Sequence, residues 1–194
     1  MAVNLQKGQK VDLTKGNPGL KNIIVGLGWD AAQPKGFFKK TVNIDCDASV
    51  IVCNNEGKLA GSNDLVYYGN LRHYSNSITH MGDNLTGDGD GDDEQIMINL
   101  SNIGGQYSKL VFVVNIYQCV LRKQHFGMVK NAYIRVLDAD KREELCRYNL
   151  SEGYDGMTAM VFGEVYRSGS EWKFNAVGQP TNDPDLKTLV KRFM

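Results

Sequence analysis

The residues best suited to chemistry lie in one acidic segment, residues 83–94, which reads DNLTGDGDGDDE. This segment carries six carboxylates and no Lys or Arg, so its formal charge is −6 while the rest of the chain sums to +6. Two like charges about 4 Å apart repel by roughly 4 kcal/mol near a protein surface. A bound divalent cation would remove that repulsion. Ca²⁺ suits the segment because it takes oxygen ligands from carboxylates, Asn side chains and backbone carbonyls.

The number of carboxylates indicates more than one ion. Six carboxylates around a single Ca²⁺ would leave a charge of −4 in a confined segment. Adding Asp45 and Asp47 from an upstream strand gives −8, which two ions would halve. This arrangement requires the Asp45–Asp47 strand end to lie beside the acidic segment, which is a hypothesis about tertiary proximity.

Two other interpretations of the acidic segment remain open. The first is a solvated acidic tract, although such tracts are more typical of chain ends than of the space between two strands. The second is an EF-hand, whose first three ligand positions match Asp88, Asp90 and Asp92. The sixth position is then Asp93 instead of Gly and the twelfth is Asn99 instead of Glu. These departures disfavour an EF-hand.

The elements that must position these residues are predicted to be strands. Apolar residues fall on every second position from Val42 to Val52, the period of a strand with one buried face. Asp45 and Asp47 lie on the other face, two residues apart, so both carboxylates project the same way. Residues 110–114 (LVFVV) are apolar at every position, which predicts a central strand covered on both sides.

The fold class follows from the number of strands and the length of their connections. Seven further segments are typical of strands, and the links at residues 138–142 and 168–170 are short enough for hairpins. We therefore expect one domain over residues 1–194, an all-β antiparallel sandwich of nine to ten strands. Apolar residues from Leu186 to Phe193 predict a short C-terminal helix, with Asp183 as N-cap and Pro184 at the first helical position.

The charge balance, the N-terminal sequence and the cysteine spacing limit the classes to which the protein can belong. Lys plus Arg and Asp plus Glu both number 22 of 194 residues, so no overall field favours nucleic acid. The N-terminus lacks the apolar stretch of a signal peptide, which predicts a cytoplasmic protein. The four cysteines are widely spaced without a C-x-x-C motif, so we expect reduced, mostly buried thiols.

At this point the chain resembles the TerD family, the tellurium-resistance and general stress proteins of bacteria. The resemblance covers nearly the whole chain and depends most on three blocks, at residues 26–30 (GLGWD), 45–49 (DCDAS) and 82–94 (GDNLTGDGDGDDE). Downstream blocks at residues 126–129, 131–136, 158–164 and 171–174 follow in the family's order. The family usually has Leu where this chain has Cys46.

The resemblance implies a β-sandwich that binds Ca²⁺, most simply two ions, in loops at one end. It also implies a non-enzymatic role in stress response and tellurite resistance, in which Ca²⁺ orders the acidic loop for partner binding. Partners are expected among other stress-response proteins, family paralogues included, with no nucleic acid and with membrane association only indirect if at all. The predicted ligands are Asp45, Asp47, Asp83, Asn84, Asp88, Asp90, Asp92 and Glu94.

Neighbouring residues receive other predictions. Adjacent residues of an extended chain point in opposite directions, so Asp93 is expected to support the ligands rather than bind an ion. Asp30 and Asn70 are each open to a ligand role or a turn role. Two alternative functions also stand, a metal-dependent phosphoester hydrolase and a Ca²⁺-dependent membrane-binding module. The hydrolase lacks an evident general base, and the acidic segment offers a membrane little beyond Leu85.

Overall fold

The computed structural model describes residues 2–31, 44–82, 91–150 and 153–194. Within these ranges the chain is built from twelve strands and two short α-helices. The strands are β1 (Val3–Leu5), β2 (Lys10–Asp12), β3 (Asn22–Ala31), β4 (Cys46–Asn54), β5 (Leu65–Val66), β6 (Ile78–His80), β7 (Glu94–Asn99), β8 (Tyr107–Ile116), β9 (Val129–Asp138), β10 (Glu143–Asn149), β11 (Ala159–Ser168) and β12 (Glu171–Thr181). The helices are α1 (Cys119–Arg122) and α2 (Leu186–Val190), and 3₁₀ turns cover Ser62–Asp64, Leu100–Asn102, Phe126–Met128 and Lys191–Phe193.

The strands form two sheets of six. Sheet A has the order β1-β10-β9-β3-β7-β6 and sheet B the order β2-β12-β11-β8-β4-β5. Neighbouring strands are antiparallel except for β1 and β10, which are parallel. The predicted all-β antiparallel sandwich with a short C-terminal helix is confirmed. The described strands outnumber the expected nine or ten because β1, β2 and β6 have three residues each, too few to show a hydrophobic alternation.

The inner faces of the two sheets form the main core. Along β3 the side chains of Ile23, Val25 and Leu27 are fully buried at every second position, as the sequence alternation requires. The predicted central strand is β8, which lies between β11 and β4 and is buried on both faces from Leu110 to Ile116. Burial on both faces requires a cover for the outer face of sheet B.

The C-terminal helix provides that cover. Leu189 and Val190 pack on a second apolar cluster with Ile51, Cys53 and Val111 on the outer face of sheet B. The expectation that the strand of residues 42–52 has only one buried face is therefore wrong, since β4 is buried at every position from Cys46 to Cys53. Alternation identified the inner face correctly, but it carried no information about what packs on the other face.

The helix also begins later than the sequence predicted. Its N-cap is Asp185, whose Oδ1 accepts a hydrogen bond from the Thr188 amide at 2.7 Å. The proposed N-cap Asp183 instead forms an ion pair with Arg192, with Nε and Oδ2 2.6 Å apart. The pKa of Asp183 is affected most by burial, which raises it, but the hydrogen bonds from Arg192 and Thr181 bring it below its ordinary value.

Two other expectations concern the state of the cysteines and the relation of the chain to membranes. All four cysteines are buried and free of disulfides, as predicted. None of the helices in the described ranges combines the length and apolar character that a membrane-spanning helix needs.

Candidate metal centre

The predicted ligands divide into two sets. Four of them lie outside the described residues, namely Asp83, Asn84, Asp88 and Asp90. The other four are placed by the structure, namely Asp45, Asp47, Asp92 and Glu94. Within the described part of the chain, no three Asp, Glu, His or Cys side chains are grouped closely enough to hold a metal ion.

Glu94 connects the described end of the acidic segment to the opposite sheet. It is the first residue of β7 in sheet A, and its Oε2 accepts a hydrogen bond from the Ala48 amide of β4 in sheet B at 2.7 Å. His80 completes the contact, because its Nε2 donates to the Ala48 carbonyl at 3.2 Å and lies 3.4 Å from Glu94 Oε2. For Glu94, the predicted proximity of the acidic segment to the Asp45–Asp47 strand end is therefore confirmed.

Asp45 and Asp47 are buried at the beginning of β4, with only 5% and 4% of their surface exposed. Asp45 Oδ2 lies 3.2 Å from Arg122 Nη1, and Asp47 Oδ2 accepts a hydrogen bond from Asn115 Nδ2 at 3.2 Å. Asn115 is opposite Asp47 in the β4–β8 pairing. The two carboxylates thus lie at the end of the sandwich to which Glu94 is attached.

The pKa of the Cys46 thiol reflects the number of carboxylates at this end of the molecule. Burial is the main factor that raises its pKa, and the charges of four nearby carboxylates raise it further. These carboxylates belong to Asp45, Asp47, Asp93 and Glu94. The thiol therefore stays protonated at neutral pH in the metal-free protein.

Asp92 has a different environment from the other described acids. Its side chain is fully buried, and its carboxylate accepts hydrogen bonds from Arg135 Nε and Nη2 at 2.7 and 3.0 Å. Tyr133 Oη and Gln95 Nε2 also donate to it, at 2.9 and 3.0 Å. This carboxylate anchors the end of the acidic segment to sheet A. Its metal-binding role stays a prediction. The pattern of the sequence did not indicate the anchor because Asp92 and Arg135 are 43 residues apart in the chain.

Two glycines of β3 make room for this anchor. A Cβ on Gly26 would lie 2.1 Å from Asp92 Oδ2, and a Cβ on Gly28 would lie 2.5 Å from the Tyr133 ring. Both distances are far below van der Waals contact. Burial first, and then the charge of Asp92 and its hydrogen bond, raise the pKa of Tyr133 to about 12, so its hydroxyl remains a donor. The glycines of the GLGWD block thus allow Asp92 and Tyr133 to lie across β3.

A Gly26→Ala substitution tests this arrangement. The added Cβ forces the Asp92 carboxylate away from Arg135, so we expect a loss of about 1 to 3 kcal/mol in the free energy of unfolding, measured in urea. Gly16→Ala is the matched control because a Cβ there meets no atom within 4 Å. Equal stability of the Gly26→Ala variant and the control would contradict the anchor.

The remaining candidates have structural partners. Asp93 Oδ2 accepts a hydrogen bond from the Trp29 amide at 2.7 Å, which places it beside the GLGWD block. Asp30 Oδ2 accepts from Asn131 Nδ2 at 2.6 Å. Asn70 Nδ2 donates to the Leu65 carbonyl at 2.7 Å and so closes a turn. The turn interpretation of Asn70 therefore describes its contact in the structure.

Comparison with known proteins shows which family the chain belongs to. The sequence profile of the TerD domain matches residues 1–193. The chain belongs to the TerD family. It is 54% identical over 200 residues to stress response protein SCP2 of Bacillus subtilis (strain 168), with all of both chains covered. It is 45% identical over 179 residues to tellurium resistance protein TerD of Serratia marcescens, covering 92% of this chain and 91% of that one.

A solved structure supports the fold alone. A homologue of telluride resistance protein TerD from Streptomyces coelicolor A3(2) superposes with a TM-score of 0.62 over 85% of this chain and 92% of its own, at 22% identity. In this TerD domain, three of the sequence blocks that carry the resemblance contact the fourth, the acidic block at residues 82–94. Gly26 of the GLGWD block leaves space for the Asp92 side chain, and Tyr133 and Arg135 of the block at residues 131–136 donate hydrogen bonds to it. The DCDAS block contributes the Ala48 amide, which donates to Glu94.

Proposed function

We propose that this protein is a non-enzymatic, Ca²⁺-binding member of the TerD family that acts in stress response. The observation that carries the proposal is the hydrogen bond between Glu94 and the Ala48 amide, which joins the acidic segment to the strand that bears Asp45 and Asp47. Ca²⁺ would hold residues 83–94 in one arrangement beside these buried acids. The names of the relatives supply the setting, since they include a stress response protein and a tellurium resistance protein.

The chemistry of the described donors fits Ca²⁺ better than a softer metal. Asp45, Asp47 and Glu94 offer carboxylate oxygens, the ligand type that Ca²⁺ prefers. Asn115 Oδ1 is a further buried oxygen, and it accepts no hydrogen bond among the described residues. The nearby Cys46 side chain is buried in the apolar core between the two sheets.

The charge of this region supports two ions. Residues 83–94 together with Asp45 and Asp47 carry a formal charge of −8, which two Ca²⁺ would reduce to −4. The proposed ligands are those predicted from the sequence, with Asp92 also serving as the anchor on Arg135. No catalytic step is assigned to these residues.

The proposed consequence of Ca²⁺ binding is a surface for other proteins. Once two ions neutralise the repulsion, residues 83–94 would keep one shape and could be recognised by a partner. We infer that the partners are other stress-response proteins of the cytoplasm, family paralogues included. Nucleic acid is not among them, and contact with membranes would be indirect at most.

Calorimetric titration with Ca²⁺ tests the proposal. We expect about two ions per chain, and we expect Asp47→Asn and Glu94→Gln to weaken binding by roughly tenfold or more, because affinity depends on the number of charged ligands. Asp140→Asn is the control, since Asp140 follows β9 at the opposite end of sheet A. Absence of any heat of binding, or equal weakening by the control, would overturn the assignment.

A further inference from the structure

His80 is a polar residue at a core-facing position of sheet A. It is the last residue of β6, and it is only 2% exposed, on the same face of the strand as the fully buried Ile78. The period of a strand predicts an apolar side chain at this position. A buried imidazole is costly unless its ring nitrogens have hydrogen-bond partners. The partners of His80 therefore explain why an imidazole is accommodated there.

The two ring nitrogens of His80 contact both ends of the acidic segment. Nδ1 accepts a hydrogen bond at 3.2 Å from the amide of Gly82, the residue directly before the segment. Nε2 lies 3.4 Å from Oε2 of Glu94, the residue that ends the segment. Nε2 also donates to the Ala48 carbonyl of β4 at 3.2 Å. One side chain thus joins both ends of the segment to the opposite sheet.

These contacts fix the tautomer of the His80 ring. A backbone N–H can only donate, so the ring nitrogen that faces the Gly82 amide carries no proton. The proton then lies on Nε2, which faces two acceptors, the Ala48 carbonyl and the Glu94 carboxylate. Because Glu94 Oε2 also accepts from the Ala48 amide at 2.7 Å, the imidazole, the carboxylate and β4 form one connected network. Buried networks of this kind hold their members in one arrangement.

Backbone pairing places the ends of the acidic segment together, and His80 adds the link to the opposite sheet. The β6–β7 pairing continues beyond β6, where the Met81 amide donates to the Gln95 carbonyl at 2.9 Å. At Gly82 the chain leaves this pairing with a φ of 127°, a conformation that residues other than glycine rarely adopt. This turn lets the Gly82 amide donate to His80. The side chains of His80 and Glu94 then carry the contact to sheet B.

We propose that His80 is a positioning residue for the Ca²⁺ site, an inference that rests on the proposed function. It holds Gly82 and Glu94 against β4, the strand next to Asp45 that carries Asp47, before an ion binds. A chain whose ends are already fixed loses less conformational entropy when it closes on an ion. His80 itself is not a proposed ligand, because Ca²⁺ takes oxygen ligands. Removing a group that orients metal ligands typically lowers metal affinity by about 10- to 100-fold.

The first test of this role needs no metal ion. In EDTA at neutral pH, the ¹⁵N chemical shifts of the His80 ring should identify Nε2 as the protonated nitrogen and Nδ1 as the acceptor. The Gly82 amide should exchange with solvent at least about tenfold faster in His80→Leu than in the unmodified protein, because its acceptor is removed. A proton on Nδ1, or equal exchange of the Gly82 amide in the two proteins, would overturn the proposal.

Calorimetric titration with Ca²⁺ then measures the effect on affinity. We expect His80→Leu to weaken Ca²⁺ binding by about tenfold or more. His80→Gln keeps an amide donor for Ala48 but loses the acceptor for Gly82, so it should weaken binding by about threefold or more. This variant keeps the test informative if His80→Leu does not fold.

The matched controls are His73→Leu and His73→Gln. His73 is also a buried histidine with both ring nitrogens in contact, Nδ1 with Ser75 Oγ at 2.7 Å and Nε2 with Asp64 Oδ1 at 3.1 Å. These partners lie outside the acidic segment, so the controls should lower stability and leave Ca²⁺ affinity unchanged. A merely structural role of His80 would give the same result as the controls.

The outcomes distinguish this inference from the proposed function. Equal Ca²⁺ affinity of the His80 and His73 variants would overturn the positioning role while Ca²⁺ binding itself stands. Absence of Ca²⁺ binding by the unmodified protein would overturn both the proposed function and the positioning role. In that case the ring tautomer and the slow exchange of the Gly82 amide would still be observed in EDTA, because neither depends on the ion.

Discussion

An Arg135→Met variant is expected to lose about 3 to 5 kcal/mol of its free energy of unfolding, the range found when one partner of a buried ion pair is removed. The reason is that Asp92 is fully buried and depends on Arg135 for two hydrogen bonds at 2.7 and 3.0 Å. Tyr133 and Gln95 still donate to it, but both are neutral. The loss is measured as a shift of the urea unfolding midpoint.

Two comparisons make the Arg135 prediction specific. Lys109→Met also breaks an ion pair between strands, but both Lys109 and Glu164 are partly exposed, so a cost below about 1 kcal/mol is expected. Asp92→Asn combined with Arg135→Met removes the buried charge as well as its partner. The double variant should therefore be more stable than the sum of the single losses predicts, by roughly 1 to 3 kcal/mol. Strict additivity would mean that the pair is not coupled.

Ca²⁺ is expected to raise the melting temperature by about 5 to 11 °C relative to the protein in EDTA. At 100 times the dissociation constant, one site that exists only in the folded state adds about 2.7 kcal/mol. For a chain of this length, each kcal/mol corresponds to roughly 2 to 4 °C. A second site would increase the shift further. The measurement is thermal unfolding followed by circular dichroism at matched ionic strength.

The melting experiment has its own controls. Asp47→Asn should reduce the shift because it removes a charge next to the acidic segment, whereas Asp140→Asn should preserve it. Mg²⁺ at the same concentration should give a smaller shift, since it demands octahedral geometry and releases its water reluctantly. A melting temperature that is the same in EDTA and in excess Ca²⁺ would remove the thermodynamic basis of the proposed function.

The two predictions address different parts of one region. The Arg135 variant tests how the acidic segment is attached to sheet A, and the Ca²⁺ shift tests what the carboxylates of the segment bind. The attachment can be confirmed while Ca²⁺ binding fails, because the Arg135–Asp92 pair needs no metal ion. The experiments thus separate a structural role of these acids from a ligand role.

Local patterns in the sequence were sufficient for the fold class and for the location of the acidic region. A period of two along β3 and β9 follows directly from strand geometry, so the inner face of each strand could be predicted. The carboxylates of residues 83–94 are adjacent in the chain, so their mutual repulsion is a property of the sequence alone. The blocks at residues 26–30, 45–49 and 82–94 were likewise sufficient to indicate the family, which the profile match confirms.

Contacts between distant residues could be decided only by the tertiary structure. Burial of the outer face of β4 depends on helix α2, which lies more than a hundred residues away in the chain. Asp92 becomes an anchor because Arg135 and the space above Gly26 meet it across neighbouring strands. Asp185, not Asp183, is the N-cap of α2, and Asp183 instead forms an ion pair with Arg192. In each case the residue's chemistry was evident from the sequence, but its partner depended on which strands and helices pack together.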